Sequence, residues 1–241
     1  MLCIIKLNFI GRIYESPTVV RIFKCNFVCF FFLRIFVINR NILKYIDFHN
    51  TFHKFTVFST YAIEKAFPGF DRKILVAWQK KGYIQKLRNN WYCFEDRQLQ
   101  EQDLFLIANK IYHPSYISLE SALSYYQFIP EGVFLNTSIS TLKTVRFETP
   151  RGLFDYRNIK PRLFFGFTLK KQIENPLPGW YKIATPEKAV IDFLYLNPQY
   201  NEEADFEELR FNWIELNAKI NLATLENYLN YIQSNSLKKR I

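Results

Sequence analysis

Six basic side chains lie between Asp71 and Asn90, and Asp71 is the sole acidic residue of that stretch. They are Arg72, Lys73, Lys80, Lys81, Lys86 and Arg88. Positive charge at this density is typical of a surface that binds a polyanion, because each lysine or arginine that reaches a phosphate releases condensed counterions. The chemistry that these residues predict is therefore the binding of nucleic acid and not a reaction.

The candidate contacts divide by the part of the nucleic acid that they would reach. Arginine can pair with guanine and glutamine with adenine, and basic residues also contact phosphates. The predicted base-edge contacts are Arg72, Lys73, Val76 and Gln79, and the predicted phosphate contacts are Lys80, Lys81, Lys86 and Arg88. An alternative is that these charges form only a solvated helix face, or a surface for a protein partner.

Two helices must position most of these side chains. Ser59 or Thr60 is suited to cap a first helix through TYAIEKAF. A second helix, RKILVAWQKKG, is predicted to end at Gly82, because glycine tolerates the backbone conformation that follows a helix. The side chains of this helix that would pack inward are Ile74, Leu75 and Trp78.

A β-hairpin is predicted directly after the second helix. The runs YIQKL and WYCF flank the polar residues Arg88–Asn90. Helix, turn, helix and hairpin follow the order of a winged helix-turn-helix, which we expect over residues 50–98. In that arrangement the second helix enters the major groove of DNA. Trp78, Trp91 and Cys93 are expected in the core of the module.

Residues 99–241 predict an α+β domain in which helices pack around a small antiparallel sheet. Apolar positions at helical spacing mark a helix at 101–111 and another after Ser118. Five short alternating runs between 133 and 185 are predicted to be strands. Thr185 then caps a helix that packs on the sheet, and two more helices form the tail. The expected fold class of the whole chain is α+β.

Glu148, Asp155 and Lys160 form the one grouping that would support catalysis. Two carboxylates and a lysine around a hairpin can hold a metal ion for phosphodiester cleavage, although surface strands often carry such residues by chance. The sequence has no glycine-rich phosphate loop, no GxSxG elbow and no histidines or cysteines at metal-ligand spacing. We therefore expect no enzyme, no cofactor and no metal, with a nuclease as the weaker alternative.

The first 45 residues differ in composition, and the run IFKCNFVCFFFLRIFVI at 22–38 is strongly apolar. A membrane anchor is one interpretation, but Lys24, Asn26 and Arg34 interrupt a run that is already short for a span. A signal peptide is a second, although no small-residue cleavage site follows. A third is that this extension is not native and that the protein starts near Leu43, and a fourth is an ordinary extra element.

The overall composition limits the classes of protein to which this chain can belong. The chain has 241 residues, 49% of them hydrophobic, which is enough for packed cores and excludes wholesale disorder. Its net charge of +10 suits a polyanionic partner. The four cysteines, Cys3, Cys25, Cys29 and Cys93, include no CxxC pair and do not form the pattern of a secreted disulfide scaffold. We therefore expect a cytoplasmic protein, for which membrane association is the less favoured setting.

Four segments in a fixed order resemble the AbiEi family of antitoxins. They are VFSTYAIEKAFPGFDRKILVAWQKKGYIQKLRNNWYCF, YISLESAL, FETPRGLFDYR and IATPEKA, and the resemblance covers about residues 50–197. No one segment is diagnostic alone, so the resemblance depends on their order. The apolar N-terminal extension departs from the family pattern.

The resemblance implies a transcriptional repressor that binds the operator of its own operon and serves as the antitoxin of an AbiE type IV toxin–antitoxin system, a form of abortive infection against phage. The toxin would be a nucleotidyltransferase-like protein encoded next door, which the antitoxin counters without necessarily forming a stable complex. Double-stranded DNA is the predicted partner, and a homodimer would read inverted half-sites. The rival interpretation is a winged-helix adaptor that binds a protein and no DNA.

Overall fold

The computed structural model describes residues 43–130, 132, 134–172, 179–201, 205 and 209–241. The interpretations of the apolar extension, including the run at 22–38, lie outside these residues. Within the described residues, Leu43–Pro68 and Arg72–Ile241 belong to one compact unit, which is the unit considered below, and Gly69–Asp71 group separately. The part of the chain that is described contains no helix with the length and apolarity that a membrane crossing requires.

The first part of this unit combines three helices with a small antiparallel sheet whose strand order is β1-β3-β2. Its elements are α1 (Tyr45–Phe52), β1 (Phe58–Ser59), α2 (Thr60–Ala66), α3 (Lys73–Lys80), β2 (Ile84–Arg88) and β3 (Trp91–Phe94). Helix α1 is not among the predicted elements. The other elements follow the predicted order of helix, helix and hairpin.

Local signals set the ends of helices α2 and α3. The Ser59 hydroxyl accepts a hydrogen bond from the Ala62 amide at 3.1 Å, which caps α2 as predicted. Helix α3 ends before Gly82, whose φ of +68° is a conformation that glycine adopts without steric cost. The Gly82 amide donates to the Gln79 carbonyl at 3.0 Å and closes the last turn. The predicted end of α3 is therefore confirmed.

An aromatic cluster holds helices α1 and α3 on the small sheet. The ring of Phe48, on α1, is fully buried and lies 4.6 Å from Trp78 of α3 and 5.2 Å from Phe58 of β1, centroid to centroid. Phe58 in turn lies 5.0 Å from Phe94 of β3. Aromatic side chains bury the largest areas per residue, so this cluster fixes the orientation of α3. Trp78 and Cys93 are buried, as predicted.

The second part of the unit places helices on both faces of a six-stranded sheet with the order β6-β7-β5-β4-β9-β8. Its first elements are α4 (Glu101–Ile111), β4 (Ser115–Ile117), α5 (Leu119–Tyr125), β5 (Leu135–Ser140), β6 (Val145–Thr149) and β7 (Gly152–Asn158). They are followed by a 3-10 turn (Pro161–Leu163), β8 (Phe167–Lys171), β9 (Trp180–Ala184), α6 (Pro186–Leu196), α7 (Trp213–Lys219), α8 (Leu222–Ile232) and α9 (Asn235–Lys238). The α+β class is thus confirmed.

This sheet is larger than predicted and is mixed instead of antiparallel. Strands β5 and β7 pair in parallel, and so do β4 and β9. The short strand β4 was not predicted, and the predicted strand at 163–169 begins as a 3-10 turn and becomes a strand only at Phe167. Turn residues mark where neighbouring strands reverse direction, but parallel pairs join distant segments, so local signals do not reveal them.

Side chains alternate between the two faces of the six-stranded sheet, and different helices pack on each face. On one face, Tyr181 of β9 packs on Phe105 of α4 with ring centroids 5.7 Å apart, and the Tyr156 hydroxyl donates to the Ala108 carbonyl at 2.8 Å. On the other face, Tyr116 of β4 contacts α6 through Asp192. The core of the domain lies in these two layers on either side of the sheet.

Candidate nucleic-acid interface

Helix α3 has one buried face and one basic face. Leu75 and Trp78 are buried against the small sheet. The exposed side chains on the opposite face are Arg72, Lys73, Val76 and Lys80. Positions 72, 76 and 80 follow each other at intervals of four residues, so they line up along the helix axis. The helix sequence KILVAWQK contains no acidic residue, so the exposed face is positive along its whole length.

Val76 lies at the centre of this face and is 54% exposed. An exposed aliphatic side chain between cations is suited to contact with the methyl group of a thymine, while the flanking guanidinium and ammonium groups reach polar base edges or phosphates. We call Arg72, Lys73, Val76 and Lys80 the α3 ridge. The structure therefore brings together four of the eight predicted contact residues on one surface.

Gln79 differs from the residues of the ridge. It is half-buried, and its side-chain amide donates to the Leu75 carbonyl of the same helix at 3.0 Å. Paired recognition of adenine by glutamine uses both the amide donor and the carbonyl acceptor. The helix backbone takes one of the two N–H donors of this amide, and the second N–H and the carbonyl oxygen are the groups that the predicted adenine contact would use.

Lys81 and Lys86 are exposed, as a phosphate contact requires. Lys81 follows directly after α3, with its ammonium 5.9 Å from the centroid of the Tyr83 ring. Lys86 lies on β2, in register with Tyr92 of β3. Both extend the positive charge of the α3 ridge along the chain toward the hairpin.

Arg88 at the end of β2 is half-buried and contacts other parts of the protein, so the phosphate contact predicted for it would compete with these contacts. Its Nη1 donates to the Ile111 carbonyl at 2.7 Å, and its guanidinium carbon lies 3.8 Å from the centroid of the Phe147 ring on β6. The Tyr112 ring is 5.0 Å from the same carbon. A guanidinium between two rings and a carbonyl is held by cation–π attraction and a hydrogen bond, and it fastens the hairpin to the larger sheet.

Arg151 makes a second connection between the larger sheet and the β2–β3 hairpin. It lies in the β6–β7 turn, and its Nη2 donates to the carbonyls of Phe94 and Glu95 at 2.8 and 2.5 Å. Both carbonyls belong to the end of the β2–β3 hairpin, which is therefore attached at its tip by Arg88 and at its base by Arg151. Nothing in the local sequence of Arg151 indicates this role, because the partners are more than fifty residues away.

A buried polar cluster that was not predicted lies between β4 and α6. Lys188 and Asp192 form a salt bridge with no solvent exposure of either side chain. The Tyr116 and Ser118 hydroxyls each donate to Asp192 Oδ2 at 2.9 Å, and the Lys188 ammonium donates to the Tyr116 oxygen at 3.1 Å. We call these four residues the Lys188 cluster. The sequence signal is a lysine and an aspartate four residues apart in the largely apolar helix PEKAVIDFLYL.

Burial shifts the pKa values of this cluster. Removal from water lowers the pKa of Lys188 and raises the pKa of Asp192, and the attraction between the two charges opposes both shifts. Burial also raises the pKa of Tyr116 well above its usual range. With every member buried and hydrogen-bonded, the cluster has the form of a structural network and not of a site that a ligand enters.

The grouping considered for catalysis is arranged around the β6–β7 hairpin. Asp155 is buried and forms an ion pair with Arg146, Nε to Oδ1 at 3.3 Å. Glu148 and Lys160 are exposed, the first on β6 and the second just before the 3-10 turn. Among the described residues, no three histidine, cysteine, aspartate or glutamate side chains are placed to hold a metal ion together.

No family model matches this chain, and no curated protein matches it either. The resemblance to the AbiEi family therefore stays a prediction from the residues that carry it.

Proposed function

We propose that this protein is a transcriptional repressor that binds double-stranded DNA through helix α3. The observation that carries the proposal is the α3 ridge, in which Arg72, Lys73 and Lys80 surround the exposed Val76 with no acidic residue on the helix. A ridge of this composition combines the two requirements of operator recognition, which are charge for affinity and short-range contacts for the choice of sequence.

The order of the elements supports the same proposal. Helix α1, strand β1, helices α2 and α3, and the β2–β3 hairpin occur in the order that a winged helix-turn-helix has, with the hairpin directly after the helix that enters the major groove. The aromatic cluster around Phe48 and Trp78 holds α3 from its buried side, so the ridge projects away from the small sheet. Binding would then need no rearrangement of the helix.

The phosphate contacts of this proposal are fewer than the sequence alone predicts. Lys80, Lys81 and Lys86 are exposed and retain that role, whereas a phosphate contact by Arg88 would compete with the Ile111 carbonyl and the Phe147 ring. The hairpin would therefore approach DNA with Lys86 and not with its tip. Affinity is then expected to depend mainly on the region from Arg72 to Lys86.

The antitoxin role is proposed on the resemblance of the four sequence segments to the AbiEi family. The repressor would bind the operator of its own operon and counter a nucleotidyltransferase-like toxin encoded beside it. Two copies related by a two-fold axis would present two α3 helices to inverted half-sites. Expression of the neighbouring reading frame alone should arrest growth, and co-expression of this chain should restore it. Growth arrest that the chain does not relieve would remove the antitoxin role.

The experiment that tests DNA binding is a titration of the full chain against the DNA upstream of its own gene, with a scrambled duplex as competitor. We expect specific retention, and an affinity that decreases steeply between two salt concentrations, because each phosphate contact contributes about 0.9 to the logarithmic salt slope. Equal binding to both duplexes would leave only a basic surface. An absence of binding at either salt concentration would favour the protein-interaction adaptor.

A further inference from the structure

A cavity of about 750 Å³ lies among helices α6, α7 and α8 and the last residues of the chain. Its inner wall is formed by buried apolar side chains, among them Phe211, Leu216 and Leu225. At its rim, Trp213 is 61% exposed and Leu222 is 72% exposed. We call this the C-terminal cavity. Exposed apolar surface of this extent next to a concave apolar wall is a feature of binding sites rather than of ordinary protein surface.

Among the described residues that line the cavity, the charged side chains are those of Lys239 and Arg240, which are neighbours in the sequence. Arg240 is held in place because its Nη1 donates to the Leu194 carbonyl at 2.8 Å and to the Tyr200 carbonyl at 3.4 Å. Carbonyl groups orient the guanidinium but do not neutralise it, so its charge stays available to an anion in the cavity.

Two amides complete the lining, from Asn201 and Asn217. Amide groups can donate to a carboxylate or accept from an acid. The complement of such a surface is a molecule with an aliphatic body and one anionic group. The volume lies within the range of roughly 300–1,000 Å³ that is usual for small-molecule sites.

We propose that the C-terminal cavity binds a small amphipathic acid, an aliphatic carboxylate of medium chain length. The alkyl chain lies along Phe211, Leu216 and Leu225 under Trp213, and the carboxylate faces Lys239 and Arg240. This site is separate from the α3 ridge in its residues and in its chemistry, and it does not depend on DNA binding.

A peptide or a second copy of this chain would be less well matched to the same surface. Lys239 and Arg240 are neighbours in the sequence, whereas an amphipathic helix lying in a groove presents its charges along its length. In a two-fold contact a second copy would add its own Lys239 and Arg240, and the described lining residues include no carboxylate side chain that could pair with them.

The experiment uses decanoate as the probe and the fluorescence of Trp213 as the signal, with the full chain at pH 7. An alkyl chain that enters beside Trp213 excludes water from the indole, so we expect a saturable shift of the emission to shorter wavelength. The chain contains three other tryptophans, Trp78, Trp91 and Trp180, and the variant Trp213→Phe identifies the source of the signal. Decyltrimethylammonium has the same chain with the opposite charge and should bind several-fold more weakly.

Two matched pairs of variants test the two ends of the cavity. Lys239→Gln should weaken decanoate about fivefold, whereas Lys238→Gln, at the neighbouring lysine outside the lining, should leave the affinity unchanged. Leu222→Glu should abolish the shift, because it places a carboxylate at the rim. Ile214→Glu is the control, since Ile214 is also exposed but does not line the cavity.

Three results would overturn the proposal. The first is a fluorescence change that does not saturate below the micelle concentration of decanoate. The second is equal affinity for decanoate and decyltrimethylammonium, which would mean that Lys239 and Arg240 do not select an anion. The third is a chain that sediments as a dimer and becomes a monomer on Leu222→Glu, because a second copy would then occupy the cavity. None of these results bears on binding of DNA by α3.

Discussion

Helices α3 and α6 both carry lysines, but the two helices differ in whether these side chains reach solvent. Lys73 and Lys80 of α3 are exposed, whereas Lys188 of α6 has no solvent exposure. The difference follows from the partners that each helix finds. Helix α6 has Asp192 one turn after Lys188, and the same carboxylate binds Tyr116 of β4 and Ser118, which directly follows that strand. Helix α3 contains no acidic residue, and Lys80 on its outer face is exposed.

The charge of a segment and its accessibility are therefore separate properties. A buried lysine is tolerated only where a counter-charge and hydrogen bonds replace its hydration. Arg88 is an intermediate case, since it is half-buried and held by a carbonyl and two rings without a counter-charge. The predictions that follow test each side of this contrast.

Removing the counter-charge of the Lys188 cluster should have the largest effect on stability. Asp192→Asn keeps the volume of the side chain but leaves Lys188 buried without its partner, and we expect the free energy of unfolding to fall by about 3–5 kcal/mol. Urea unfolding at pH 7 followed by circular dichroism measures the change. The double variant Lys188→Met, Asp192→Leu should recover much of the loss, since it removes both charges together.

The matched control is a second lysine–carboxylate pair with the same spacing. Lys219 and Glu215 on α7 are also four residues apart, with a nitrogen–oxygen distance of 2.7 Å, but both side chains are partly exposed to solvent. Glu215→Gln should lower stability by less than about 1 kcal/mol. Equal losses at Asp192 and Glu215 would contradict the view that burial makes the α6 pair different.

Arg88→Ala should produce the next largest effect. The substitution removes a charge-assisted hydrogen bond to Ile111 and the stacking on Phe147, so the loss of stability is expected to be about 1.5–3 kcal/mol. Lys86→Ala, at the exposed neighbour on β2, is the control and should change stability little. A greater loss of stability from Lys86→Ala than from Arg88→Ala would show that Arg88 is not the residue that holds the hairpin on the larger sheet.

High pH should separate buried tyrosines from exposed ones. Burial raises the pKa of Tyr156, so above about pH 10 the unfolded chain releases a proton that the folded chain keeps. The contribution is therefore fully present below pH 10 and is lost as pH rises, at about 1.4 kcal/mol per unit for one such tyrosine. Tyr156→Phe should flatten the decrease of stability between pH 10 and 11. Tyr61→Phe, on a ring that is mostly exposed, should leave it unaltered.

The elements that could be predicted from sequence are those whose signals are local. Ser59 capping α2, Gly82 ending α3 and the polar turn of the β2–β3 hairpin each lie within a few residues of what they determine. The exposed positions of α3 follow from helical spacing in the same way. These signals were sufficient for the exposed positions of α3 and for the order of α2, α3 and the β2–β3 hairpin, but not for α1 or β1.

The parts that could not be predicted depend on distant residues. The carbonyl that binds Arg88 is 23 residues away in sequence, and the Tyr116 hydroxyl that contacts Lys188 is 72 residues away. Spacing alone cannot show whether a basic side chain will meet such a partner. For the same reason the parallel pairing of β5 with β7 was missed, since it joins strands that have β6 between them in the sequence.

The smallest expected effect concerns an exposed lysine of α3 and the binding of DNA. Lys80→Gln removes one charge from the α3 ridge, so the logarithmic salt slope of operator binding should decrease by about 0.9 while stability stays unchanged. Lys110→Gln removes the same charge from the exposed end of α4 and controls for the net charge of the protein. Filter binding at four salt concentrations measures both slopes. Equal changes for Lys80 and Lys110 would show that the ridge attracts DNA only through long-range charge, and the proposed contact by α3 would then be lost.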